Sequence, residues 1–328
     1  MTSVEVTTGS RLHFGLICAE PGSDYRFGGI GLMLREPAWR LSLRPASDFD
    51  CESESDEVRE RVERLMPTIR VRFGHANLHV AVRDELPLHR GLGAGTQFSL
   101  AVATAALISA GESRPACSLE LATHLQRVRR SAIGAFGFDR GGFIVDSGQS
   151  PTGQTRNLQR YDFPEEWRIV LVHPDGESGI SGTHEESVFQ QEHWMPPSLV
   201  EAQVQLAKRD ILPAIHNANF ENFRQAIGQY GTNAGEFFAS QQGGIFSSSI
   251  IRGITESTEF GDLRPVQSSW GPNVAIFAQS LEHAKQVVAR LQASEFSRAL
   301  SCRIVEPMNL GASVRTIAPE TPDHVARG

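Results

Sequence analysis

Cysteine is scarce in this chain of 328 residues: Cys18, Cys51, Cys117 and Cys302 are far apart and form no C-x-x-C pair. That spacing suits reduced thiols in a cytoplasm better than a disulfide framework or a zinc site. Long apolar runs are also missing, since none reaches the ~20 residues a membrane-spanning helix requires. The opening MTSVEVTTG lacks a basic-then-apolar leader, so the expectation is a cytoplasmic protein with no membrane partner. Positive charge is not in excess either. Lys and Arg total 31 against 38 Asp and Glu, a net charge of −7, which argues against a nucleic-acid groove. There is no internal repeat and no low-complexity tract. What is there is 40% hydrophobic and 21% charged, a globular composition with length enough for two domains.

The most informative run is Pro87-Leu88-His89-Arg90-Gly91-Leu92-Gly93-Ala94-Gly95-Thr96-Gln97, followed by the apolar stretch Phe98 to Ala110. Three alternating glycines let a backbone turn tightly and come close to a ligand. The Ala- and Leu-rich segment behind them reads as a buried helix. A glycine loop opening onto a helix N-terminus offers unpaired N–H groups and the positive end of the helix dipole to a phosphate or pyrophosphate. Three glycines alone are equally compatible with a tight strand-to-helix turn.

Short β-rich segments dominate the first third: Val4 to Thr8, Trp39 to Leu43, Ile69 to Phe73 and Leu78 to Val82. The acidic patch Asp48 to Leu65 reads as a loop running into an exposed helix. A further helix is expected near Ser118 to Val128, with Ser118 as its N-cap. Gly141 to Asp146 then reads as a turn into a buried strand. The polar stretch Ser150 to Pro164 is the expected junction, dividing the chain into domains 1–158 and 159–328. Beyond it, strands are expected at Trp167 to His173, Val274 to Ala278 and Leu300 to Val305. Helices are expected near Glu185 to Glu192, Ser198 to Ile227 with a break at Pro213, Thr232 to Gln241, and Glu282 to Ala293. The order points to a small α+β sandwich.

The glycine loop and the turn Ser268-Ser269-Trp270-Gly271-Pro272-Asn273-Val274 resemble the GHMP superfamily of small-molecule kinases. Its hallmarks are a P-x-x-x-G-L-G-S-S-A loop and an S-G-x-G-P-T-V turn. The resemblance implies a two-domain α/β (α+β) fold: a mixed-sheet N-terminal domain and a ferredoxin-like C-terminal sandwich. Kinases of this group place S-G-x-D, with the aspartate as base, where this chain has Ser131-Ala132-Ile133-Gly134. Gly134 carries no proton acceptor. Asp139 or Asp146 would serve as that base only with a rearranged backbone.

A branch that accommodates the departures is the β-ribofuranosylaminobenzene 5′-phosphate synthase family. Arg11-Leu12-His13-Phe14-Gly15-Leu16, Arg26-Phe27-Gly28-Gly29-Ile30-Gly31-Leu32, the G-L-G-A-G-T-Q loop and Arg130 to Gly134 are similar to its signatures. So are Gly141 to Asp146, Ser181 to Glu185, Gln242 to Phe246 and Gln267 to Pro272. Ser147-Gly148-Gln149 departs, standing where glycine and histidine are expected. The resemblance implies a step of tetrahydromethanopterin synthesis. In it a 4-hydroxybenzoate or 4-aminobenzoate ring displaces pyrophosphate from phosphoribosyl pyrophosphate, bonds to the ribose through carbon and loses carbon dioxide. A Mg²⁺- and ATP-dependent kinase of a small alcohol, or an idle metabolite-binding relative, are the alternatives. A homodimer is implied at family level only.

The chemistry assigns roles to particular residues. Leaving charge would be held by amides and side chains at Gly91, Gly93, Ala94, Gly95, Thr96 and Gln97, with Ser269 and Gly271 of the later turn. Arg11 or Arg26 would pair with the benzoate carboxylate. His13 shares a strand face with Arg11 and would donate to a ring substituent or a phosphate, or serve the fold alone. Asp139, Asp146 and Glu185 are the candidate Mg²⁺ carboxylates, and Asp139 is also a catalytic candidate; a cap or ion pair would explain each of them as well. Trp270 would stack on the ring or pack in the core. His75 and His79, four apart in strand-like sequence, are not a metal site.

Overall fold

The computed structural model describes residues 2–73, 77–113, 117–149, 156–180, 182–190 and 193–317. Its first sheet is built on two long antiparallel strands, β1 (Ser3–Ile17) and β2 (Gly28–Pro45). The other strands of this sheet are β3 (Asp50–Glu52), β4 (Leu78–Asp84), β5 (Phe143–Gln149), β6 (Arg156–Tyr161) and, from the far end of the chain, β11 (Ser313–Ile317). The order is β11-β1-β2-β4-β3. Strand β5 shares β2 with β4, pairing Gly29 to Leu32 while β4 pairs Arg40 to Pro45, so the sheet forks. The second sheet holds β7 (Arg168–Pro174), β8 (Val266–Gln267), β9 (Val274–Ala278) and β10 (Leu300–Val305), all antiparallel, in the order β10-β7-β9-β8. Its strands run fourth, first, third, second, as the ferredoxin-like sandwich requires. The mixed α/β (α+β) class read from sequence is the one observed.

Helices α1 (Asp56–Phe73), α2 (Ala94–Ser109), α3 (Ser118–His124) and α4 (Ile133–Arg140) belong to the first half. Helix α2 is buried nearly all round, through Phe98, Leu100, Val102, Ala103 and Ala106. That explains its lack of a polar face. Trp39 fixes its start: the indole Nε1 donates to the Ala94 carbonyl at 3.0 Å, and the ring lies 4.7 Å from that of Phe98. Burying each such aromatic contributes about 1.5–3 kcal/mol. The second half adds α5 (Gly182–Gln190), α6 (Pro197–Gln205), α7 (Leu212–His216), α8 (Phe220–Phe237), α9 (Ala239–Gln242), α10 (Ser249–Glu256) and α11 (Leu281–Ala293). A core of Val170, Val172, Ile254, Val287 and Leu291 joins α10 and α11 to the second sheet.

Several local expectations need correction. Ile69 to Phe73 is the last turn of α1 rather than a strand. Val58, Val62, Leu65, Met66 and Ile69 form one buried stripe at helical spacing, and that stripe outweighs the β-branched run. Pro213 does not break its helix. A π turn over Leu206–Ile211 leads without interruption into α7, so Pro213 lies inside one continuous helical run just after that wider turn. The chain breaks instead before α8, whose N-cap Asn219 accepts from the Asn222 amide. Cys117, not Ser118, occupies the N-cap position of α3. The expected junction begins with residues 150–155, which lie outside the described residues, as do His75, Ser181 and Glu192; β6, across the 158/159 boundary, pairs with β5. All four cysteines are free, and among the described residues no helix is long and apolar enough to cross a membrane.

Candidate active site

Three segments distant in sequence are pinned together at the glycine loop. The Ser268 hydroxyl donates to the Gly91 carbonyl at 2.7 Å and accepts from the His13 amide at 3.0 Å. The Ser269 amide donates to the His13 carbonyl at 2.8 Å. Gly91 has φ +73°, and a Cβ there would lie 2.2 Å from the Ser268 carbonyl oxygen, so only glycine lets the two turns close. Gly93, at φ +71°, stands at the N-cap of α2, and its carbonyl accepts from the Thr96 and Gln97 amides. Among the described residues nothing accepts from the amides of Gly93, Ala94 and Gly95. These are the orphan donors of a helix start, and all three residues line a cleft of about 720 Å³.

The cleft is strongly cationic although the chain is acidic overall. Arg11, Arg61, Arg64, Arg90, Arg127, Arg129 and Arg130 line it, against Glu185 and Glu186. Arg11 rises from β1 between the loop and α4. A Cβ at Gly93 would lie 3.2 Å from its Nε, and one at Gly134 3.7 Å. Among the described residues its buried Nε and Nη1 have no hydrogen-bond partner. Burial pulls its pKa down to about 10, with the charge of Glu185 opposing the fall. Desolvated N–H groups of a cation without acceptors are costly unless an incoming anion meets them.

His13 is buried beside it. The Gly15 amide donates to Nδ1 at 3.4 Å, so Nε2 carries the proton and donates to the Ser131 hydroxyl at 3.0 Å. Burial, then the charge of Arg11, push the His13 pKa well below the usual imidazole value and keep the ring neutral. Ser131 also accepts from the Ile133 amide at 3.2 Å, which leaves its own O–H to donate into the cleft it lines. His13 thus sets the orientation of Ser131.

The opposite wall is apolar. Phe189 of α5, Phe238 and Trp270 meet edge to face, with ring centroids 4.9 to 6.3 Å apart. Gly231, Ala234 and Gly235 of α8 continue this wall as a surface of small residues. Trp270 is therefore both packed and cleft-lining. The Arg130 guanidinium stacks 4.2 Å over Phe189 and pairs with Glu185, while Arg129 pairs with Glu186 at 3.0 Å.

The structure brings Arg11, His13, Gly91, Gly93, Ala94, Gly95, Thr96, Ser269, Gly271 and Glu185 together around this cleft. Four other candidates lie elsewhere. Gln97 is fully buried, accepting from the Thr8 hydroxyl at 2.6 Å and donating to the Gly134 carbonyl at 2.7 Å, so it braces α4 rather than touching a ligand. Arg26 lies over the rings of Phe27 and Trp194, outside the cleft walls. Asp139 accepts from the Ser118 amide and hydroxyl, both at 2.6 Å, and caps α3. Asp146 is buried in an ion pair with Arg156 and accepts from the Ala132 and Gly148 amides at 2.9 Å each; burial raises its pKa, with Arg156 opposing. Both aspartates hold the backbone in place. Among the described residues no three His, Cys, Asp or Glu cluster as metal ligands. Of the expected Mg²⁺ carboxylates only Glu185 borders the cleft.

No protein-family model matches the sequence. A curated β-ribofuranosylphenol 5′-phosphate synthase from Methanothermobacter thermautotrophicus is 32% identical over 245 residues, covering 68% of this chain and 74% of that one. The chain belongs to this synthase family. Its counterpart from Archaeoglobus fulgidus is 30% identical over 237 residues, with 68% and 74% covered. The fold extends further. Phosphomevalonate kinase from Streptococcus pneumoniae superposes with a TM-score of 0.66 at 13% identity, covering 94% of this chain and all of that one. Mevalonate diphosphate decarboxylase from Enterococcus faecalis gives 0.62 at 13%, covering 96% and 99%. At such identities these two establish the GHMP-type fold alone. For the synthase-family chain, sequence reasoning missed Arg61, Arg127, Arg129, Phe189 and Phe238 as cleft residues. The run Arg127-Val128-Arg129-Arg130 was the available signal.

Proposed function

We propose that this chain is a decarboxylating phosphoribosyl transferase. It couples 4-hydroxybenzoate or 4-aminobenzoate to phosphoribosyl pyrophosphate with release of carbon dioxide and pyrophosphate. Membership in the synthase family supports the reaction class. The observation that carries the site assignment is Arg11, whose buried Nε and Nη1 have no hydrogen-bond partner among the described residues and which lies between the free amides of the loop and the side-chain-free Gly134.

In this reading the amides of Gly93, Ala94 and Gly95 receive the pyrophosphate. The bond from the anomeric carbon to the pyrophosphate oxygen breaks, and its electron pair leaves on that oxygen, where preorganised N–H donors stabilise the charge. Mg²⁺ bound to the pyrophosphate, with Glu185 as the carboxylate at hand, would neutralise further leaving charge. The ring carbon bearing the carboxylate bonds to the anomeric carbon. The bond to the carboxyl group then breaks, its electrons return to the ring, and neutral carbon dioxide departs. Arg11 takes the carboxylate through a bidentate fork before reaction and so places that ring carbon, a proximity effect. The wall of Phe189, Phe238 and Trp270 takes the ring and keeps water from the cationic sugar. A kinase-type base on α4 has no work in this sequence of bonds, consistent with Gly134.

The test is turnover. Purified protein with Mg²⁺, phosphoribosyl pyrophosphate and either benzoate should release carbon dioxide and pyrophosphate in equal amounts. Consumption of ATP with a small alcohol, and indifference to the benzoates, would replace this reading by the kinase one.

A further inference from the structure

We infer that the recess between α1 and the segment after α3 is a second anion subsite, which takes a phosphate monoester on the sugar while the glycine loop takes the pyrophosphate. The inference rests on the reading of the cleft as a phosphosugar site. The recess, about 230 Å³, opens beside the main cleft and shares Arg61, Arg64 and Arg127 with it; His124, Thr68 and Leu65 are among its other lining residues. None of its lining residues is acidic.

The three arginines differ in how far their charge is already engaged. Arg61 pairs with Glu57 at 3.1 Å, and Arg64 pairs with Glu60 at 3.4 Å. Arg127 has no ion-pair partner among the described residues, and its Nε and that of Arg61 are buried without acceptors. Burial, then the charges of Arg61 and Arg129, lower the Arg127 pKa. A Cβ at Gly95 would lie 3.1 Å from Arg61 Nη1 and 3.5 Å from Arg127 Nη1. Two cations therefore crowd the positive end of α2, an arrangement that repels itself until a dianion enters.

Two features separate this subsite from the loop. Arg11 flanks the Cβ position of Gly93, whereas Arg61 and Arg127 flank that of Gly95. The backbone also spends conformational energy to place Arg127. Helix α3 ends in a Schellman turn, with the Arg127 amide donating to the Ala122 carbonyl and the Gln126 amide to that of Thr123. Such turns favour glycine at the left-handed position and an apolar residue after it. Here Gln126 holds φ +56° and a charged residue follows.

The experiment is calorimetric binding of ribose 5-phosphate, which carries only a monoester, and of pyrophosphate, which has no sugar. Arg127→Met should weaken ribose 5-phosphate about tenfold or more and change pyrophosphate less than about threefold. Arg127→Lys should recover part of the loss, and circular dichroism should show both variants folded. Gly93→Asp should give the reverse pattern. Ribose 5-phosphate affinity untouched in Arg127→Met, or both ligands weakened equally, overturns the subsite. Failure of the unmodified protein to bind either compound overturns the phosphosugar reading as well.

Discussion

Arg11 and Gly134 face each other at the cleft, with room between them for a single added carbon. A Cβ on Gly134 would stand 3.7 Å from Arg11 Nε and 3.4 Å from the Thr96 methyl, ordinary van der Waals distances. Gly134 is the second residue of α4, a position where a negative charge also gains from the helix dipole. Gly134→Asp should therefore fold and melt no lower than the parent. Its carboxylate would occupy the place assigned to the substrate's own, and release of carbon dioxide from the benzoates should fall by about a hundredfold or more. Undiminished turnover would remove the aromatic acid from this position.

Arg11→Ala separates function from stability. The guanidinium has two buried nitrogens without partners among the described residues, so deleting it removes a desolvated charge along with some packing. Melting temperature should stay level or rise, while KM for the benzoate rises more than KM for phosphoribosyl pyrophosphate. A clear drop in melting temperature, or equal rises in both KM values, would contradict the role given to Arg11.

Gly93→Asp tests the loop itself. At φ +71° aspartate is among the less strained replacements, yet its carboxylate would enter the space in front of the free amides and meet Arg11, 3.2 Å from the Cβ position. Pyrophosphate affinity should fall by about a hundredfold, by repulsion and by occupation of the donors. Retained pyrophosphate affinity would mean the anion binds elsewhere.

The glycine loop, the helix behind it and the strand-rich first third were legible because each rests on local chemistry: glycine freedom, helix propensity and alternation. Glu185 was legible as a residue near the site, but the cap made by Asp139 and the ion pair of Asp146 depend on Ser118 and Arg156, partners that local spacing does not reveal. The same holds for Gln97, whose amide looked ligand-facing in the motif and braces Thr8 and Gly134 instead. Arg127 was invisible for the opposite reason. Its importance comes from what surrounds it in space, Arg61 on one helix and Gly95 on another. The Ile69 to Phe73 error shows a β-branched run yielding to a buried stripe that began eleven residues earlier, at Val58.

The buried neutral His13 sets a direction for stability against pH. Its pKa in the fold lies well below 6.5, chiefly through burial and then through Arg11, whereas the unfolded chain takes up a proton as pH falls through about 6.5. The unfolded state then binds more protons than the folded one, so stability is full above that pH and is lost as pH drops below it. Each such histidine contributes a slope of about 1.4 kcal/mol per pH unit. His173, also lowered chiefly by burial and bonded through Nδ1 to Asn273 at 2.7 Å, adds to the same trend. Urea unfolding at pH 7.5, 6.5 and 5.5 should show the loss. His13→Gln keeps a donor for Ser131 but cannot titrate, so the difference between the two proteins isolates one group from every carboxylate. The variant should be less stable than the parent at pH 7.5, and the gap should narrow as pH falls to 5.5. A gap that is constant across this range would mean that His13 is protonated equally in both states, and the neutral ring assigned to it would be wrong.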